Sequence, residues 1–169
     1  MADTLRPVAE EIESWLRGAD RVLLVGLGNE SRGDDGAGVL VARRMEARAS
    51  SRFRVMNLGE ALGRLLPDAT DFMPSHIIIV DAAIFGAKSG SVRPMELDEM
   101  EAAHSSSTHD LPISVAVGLV TSETHSKSIA IGIQPKEVGI GHEMSSDVRD
   151  ACERVISLLE EELSFAHVI

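Results

Sequence analysis

The sequence predicts an α/β fold: a doubly wound, mostly parallel five-stranded sheet between helices, an α/β/α sandwich. Three observations carry this. Strand-like and helix-like segments alternate along the chain, the pattern of βαβ units. The clearest strand, Ile77-Ile78-Ile79-Val80-Asp81, is a continuous apolar run, as in parallel sheets covered on both faces. The chain has 169 residues, 44% of them hydrophobic and 25% charged, enough for one domain with a buried core. Residues 1–169 are therefore expected to form a single domain, with residues 1–18 as an N-terminal helical extension.

Taken in order, Leu5, Val8, Ile12, Trp15 and Leu16 have helical spacing, and Gly18 ends a helix over residues 5–17. Arg21-Val22-Leu23-Leu24-Val25-Gly26 reads as a buried strand. A glycine-rich turn follows from Leu27 to Gly33, then a helix over residues 35–48. Phe53–Asn57 is a second strand, residues 59–66 a short helix, and Ile77–Asp81 the third strand. A strand over residues 91–97 carries Pro94, which places it at a sheet edge. Residues 111–121 are rich in valine, but their position before the strand at Ser128–Ile133 favours a helix. The last helix has Ser145, Ser146 and Asp147 as capping residues and repeats Val148, Ala151, Val155, Ile156 and Leu159 on one face.

Composition excludes several functions. With 16 basic against 27 acidic residues the net charge is −11, which repels phosphate backbones and argues against nucleic acid. No apolar run approaches the ~20 residues of a membrane span, and Met1–Pro7 shows no basic segment leading into an apolar one, so no secretory signal is expected. Cys152 is the single cysteine, which leaves no internal disulfide and no thiolate cluster. A soluble cytoplasmic protein is expected.

Ligands of open α/β sheets bind beyond the carboxyl ends of the strands. Asp34 and Asp35 follow the turn after the first strand, Asp81 ends the third, and His109 with Asp110 precedes the helix over residues 111–121. If the first and third strands are neighbours, these places converge on one edge. Asp35 sits where the helix dipole favours a carboxylate, and Asp81 ends an apolar run where a lone charge is costly. Two carboxylates and an imidazole suit zinc or nickel and leave positions open for a ligand from another molecule. Each residue also has an ordinary reading: Asp34 and Asp35 as helix caps, Asp81 bonded to the following turn, His109 as a surface residue. A dinucleotide site fits poorly, because Ser31 stands where a third glycine belongs and two aspartates occupy the pyrophosphate position. A phospho-receiver domain is the stronger rival, with Asp81 as phosphoacceptor and Lys136 as its lysine, but the turn from Gly26 to Gly33 is too long for it.

The segment Gly26-Leu27-Gly28-Asn29-Glu30-Ser31-Arg32-Gly33-Asp34-Asp35-Gly36-Ala37-Gly38 resembles the signature of the nickel–iron hydrogenase maturation endopeptidases. Ile79-Val80-Asp81-Ala82, Ser107-Thr108-His109-Asp110-Leu111-Pro112 and Ile131-Gly132-Ile133-Gln134-Pro135 match in order, the last two most like the hydrogenase-3-type branch. The resemblance implies a five-stranded sheet between helices and an endopeptidase that removes the C-terminal extension of a hydrogenase large-subunit precursor after nickel insertion. It maps the metal-contacting and catalytic residues to Asp35, Asp81 and His109. Asp34 takes the neighbouring acidic position, and Gly28 and Asn29 shape the cleft, so these three are expected at the substrate. Nickel would come with the precursor. No permanent cofactor is expected, although Ni²⁺, Cd²⁺ or Zn²⁺ should occupy the isolated site weakly. A monomer is expected. Asn57-Leu58-Gly59-Glu60 departs from the family's Asp-Gly-Gly-like segment.

Overall fold

A computed structural model of the chain describes residues 5–103 and 111–169. The strands are β1 (Val22–Leu27), β2 (Phe53–Gly59), β3 (His76–Ala82), β4 (Val92–Met95) and β5 (Lys127–Ile133). The helices are α1 (Arg6–Trp15), α2 (Ala37–Met45), α3 (Leu65–Phe72), α4 (Leu97–Ala103), α5 (Ile113–Thr124) and α6 (Ser146–Phe165). They form one five-stranded sheet in the order β2-β1-β3-β5-β4, parallel except for β4. The predicted fold class and the adjacency of β1 and β3 hold.

Every residue of β1 and β3 is buried, because both faces of these strands are covered. Val22, Leu24, Ile78, Val80, Ile129 and Ile131 face α1, α2 and α6. Leu23, Val25, Ile77, Ile79 and Ala130 face α3, α4 and α5. The alternation of sides along each strand follows the two-residue period of side chains. Helix α1 packs on α6 and touches the edge strand β4, and Trp15 sets its ring edge-on to His76, 4.7 Å between centroids. Pro94 does lie on an edge strand, opposite Ile131 of β5.

Three expectations change. Residues 59–66 are helical only in part: β2 runs on to Gly59, which takes φ 55°, a 3-10 turn covers Leu62–Arg64, and the α-helix starts at Leu65. Leu27 pairs with Gly59 across a register shift, so β2 gains two residues beyond Asn57. Pro67 then falls in the first turn of α3, where its missing N–H costs nothing. The acidic helix α4 was not anticipated; its buried side chains, Met100 and Ala103, are too few to give a clear period. Finally, no side chain caps α6 at Ser145. The Ser145 hydroxyl is spent elsewhere, as shown below. The valine-rich segment is helical, since α5 must bury Ile113, Ala116, Val117 and Val120 on α3 and the sheet.

Candidate active site

The long turn after β1 is built by side chain–backbone bonds. Asn29 Oδ1 accepts from Ser31 N at 2.9 Å and from Ser31 Oγ at 2.6 Å, which caps a 3-10 turn at Glu30–Arg32. The Asn29 amide donates to Glu60 Oε2 at 3.1 Å, tying this turn to the end of β2. Asn29 N donates to the Asp35 carbonyl at 3.1 Å and Gly28 N to the Gly59 carbonyl at 3.1 Å. Asp34–Gly36 forms a second 3-10 turn that leads directly into α2.

Asp34, Asp35 and Asp81 are all fully buried. Their surroundings differ. Asp34 Oδ2 accepts from Lys136 N (2.8 Å), Glu137 N (2.9 Å) and Ser145 Oγ (3.0 Å), and Asp34 Oδ1 from Ser145 N (2.7 Å). Asp34 N in turn donates to the Glu137 carbonyl. The carboxylate expected to face substrate is thus enclosed by the protein's own segment between β5 and α6. Neither 3-10 turn nor α2 uses Asp34 or Asp35 as a side-chain cap.

Asp35 lies with Arg32, whose Nε is 3.7 Å from Asp35 Oδ2. Asp81 Oδ1 accepts from Ala82 N at 2.8 Å. Gly28 joins the two. Its φ is +118°, and a Cβ there would collide with the Asp35 carbonyl while standing 3.6 Å from Asp81 Oδ1. The chain at 28 therefore packs tightly against the backbone of Asp35 and close to the carboxylate of Asp81. The geometry also explains Gly38: a Cβ there would run into the carbonyls of Val80 and Leu27, so α2 lies against the ends of β1 and β3 only because this side chain is absent. In the sequence Gly38 stands out only as part of the signature.

His109 lies outside the described residues. Among the described residues, no three of His, Cys, Asp and Glu are arranged to hold a metal ion. Lys136 is exposed, and it is this residue's backbone N–H that donates to Asp34. Lys136 therefore does not occupy the place that a receiver domain needs.

Gln134 went unremarked as a functional side chain. It is buried; its Oε1 accepts from Phe85 N (2.9 Å) and Ala87 N (3.2 Å), and its backbone pairs with Ser91 and Gly90. It thereby fixes the segment that leaves β3 after Asp81. The signal was the one used for Asp81, a polar residue closing an apolar strand.

The single cysteine has no place in this site. Cys152 is buried in α6 with its thiol 3.7 Å from the Ala37 carbonyl. Burial, and then the neighbouring Glu153 carboxylate, push the thiol up to about 12, far from the thiolate a nucleophile requires.

Among known proteins, the model of the hydrogenase maturation protease family HycI matches residues 39–162, a span that includes Asp81 and His109 and begins just after Asp35. The hydrogenase 3 maturation protease of Escherichia coli K12 is 30% identical over 138 residues, 82% of this chain and 88% of that protein. The crystal structure of the [NiFe] hydrogenase maturation protease HycI from Thermococcus kodakarensis KOD1 superposes with a TM-score of 0.82 at 30% identity, covering 91% of this chain and 99% of that one. The solution structure of the endopeptidase HycI from Escherichia coli gives 0.73 at 29% identity, covering 83% and 90%. A buried acidic rim on this sheet, and likeness to these proteins over most of the chain, place it in the hydrogenase maturation protease family, as a peptidase of the hydrogenase-3-type branch.

Proposed function

We propose that this peptidase removes the C-terminal extension of a nickel–iron hydrogenase large-subunit precursor once nickel has been inserted, and that it reads the inserted nickel through Asp35, Asp81 and His109. The observation that supports the reading is the burial of Asp35 and Asp81 beyond β1 and at the end of β3, with Gly28 packed against the Asp35 backbone and close to the Asp81 carboxylate. Carboxylates are oxygen donors that suit a divalent ion, and His109 would add an imidazole to the same set. Nickel is then part of the substrate and not a resident cofactor. Precursor without it lacks the ligand shared between the two proteins. The ion seated there either polarises the scissile carbonyl or lowers the pKa of the attacking water. Gly28 and Asn29 shape the floor of the cleft, and Asp34 holds the turn in place from behind. On this reading a monomeric enzyme acts in the cytoplasm; among the described residues no helix is long and apolar enough to cross a membrane.

The test is incubation with nickel-loaded and nickel-free precursor, with products weighed by mass spectrometry. The expected result is a shortened large subunit from the loaded form and little from the nickel-free form. Equal cleavage of both removes nickel recognition; cleavage of neither removes the substrate. His109→Ala is expected to abolish processing with an unchanged circular dichroism spectrum. A normal rate from that variant overturns the three-residue assignment.

A further inference from the structure

Strand β2 ends at the candidate site and forms an outer edge of the sheet. An edge strand turns a row of backbone N–H and C=O groups away from its neighbour, a template for one more strand. Here the edge borders a groove of about 400 Å³ lined by five consecutive β2 residues, Arg54 to Leu58. Glu46, just beyond α2, rims it on one side, and Arg64, Asp68 and Asp71, before and along α3, on the other. Helical layers thus wall the edge from both faces and leave a slot between them.

The slot runs into the site. Just past it, Gly59 accepts from Gly28 N, and Glu60 receives the Asn29 amide. Gly28 packs against the Asp35 backbone and lies close to the Asp81 carboxylate. An extended peptide on β2 therefore has one end beside the turn that leads to the two aspartates.

We propose that β2 is the docking strand for the part of the precursor beyond the scissile bond, which adds to the sheet edge by backbone pairing. This rests on the substrate reading above. Direction follows from geometry. The folded precursor lies before the bond, and the bond sits at the carboxyl ends of the strands. The tail must then run back along β2 in the opposite sense, antiparallel to it. Five paired residues at ~3.4 Å each span ~17 Å, the length of the lined strand. Backbone pairing sets affinity and tolerates varied side chains at alternate positions. Charge restricts them: Arg54 pairs with Asp71 and Arg64 with Asp68, so with Glu46 the rim sums to −1 on a chain of net charge −11. A neutral or basic tail fits and an acidic one is repelled.

The probe is a synthetic peptide with the sequence of the precursor's extension, added at millimolar concentration to the full-length protein. Amide hydrogen exchange is followed by NMR, alongside cleavage of intact nickel-loaded precursor. Exchange at those amides of residues 54–58 that point away from β1 should slow by about tenfold or more, and a peptide with proline at the positions whose N–H groups would bond β2 should give no protection. If the precursor is cleaved but residues 54–58 gain no protection, the docking proposal falls and the substrate reading stands. Equal protection by the proline peptide also overturns docking, because pairing by backbone N–H groups is what is claimed. Protection without any cleavage leaves β2 as a peptide-binding strand and removes the precursor as its substrate.

Discussion

At Asp34 one carboxylate gathers four donors from residues 136–145, while the carboxylate of the adjacent Asp35 stands beside Arg32. The division of labour predicts different mutant behaviour. Asp34→Ala strands three backbone N–H groups that now bond to a charge, and should cost about 3 kcal/mol of stability; urea denaturation measures it. A midpoint unchanged from wild type would contradict the structural role. Cys152→Ala removes a buried thiol that packs on the Ala37 carbonyl behind the turn and is held protonated, and should retain cleavage in the precursor assay; a dead variant would place Cys152 in the chemistry. The carboxylate pair was legible from its position after an apolar strand and a glycine turn. Which of the two faces inward was not, because the partners of Asp34 are backbone amides a hundred residues away, and backbone amides leave no mark in a sequence.

Among the elements, the strands were read best. β1 and β3 announce themselves because burial on both faces forces unbroken apolar runs. The errors fall where burial is one-sided or short: α4 buries too few residues to show a period, and the end of β2 depends on a register shift opposite Leu27. Ser145 looked like a cap and is spent on Asp34, a tertiary contact that outbids a local one. Helix α5 carries a weakness that can be repaired. Gly118 lies in its interior, and a Cβ there would meet nothing within 4 Å. Gly118→Ala should therefore stabilise the protein by about 0.5–1 kcal/mol, since alanine loses less backbone entropy in a helix. A raised melting temperature checks it, and a lowered one would mean the helix face is occupied in solution.

For the whole molecule, the alkaline side of the stability curve has a simple origin. The chain has no tyrosine and three lysines, so few groups titrate there. The Cys152 thiol, near 9 when exposed, stands at about 12 in the fold. The folded state holds this proton more tightly than the unfolded one. Its contribution is complete below pH 9 and is lost as pH rises from 9 towards 12, by roughly 1 kcal/mol per pH unit. Cys152→Ala should flatten that slope in denaturation measured across the range. An equally steep slope in the variant would assign the loss to other groups.

The bonds that seat Asp34 also set a schedule for the newborn chain. The turn that frames the acidic rim is made early in synthesis, yet its fastenings come from residues 136–145 and the helix after them. Until those have left the ribosome, the early loop has nothing to close against, and β5, which lies beside β3 in the sheet, is missing as well. A half-made copy therefore cannot carry a finished cutting edge. The early turn is completed only once residues 136–145 have emerged to close on it.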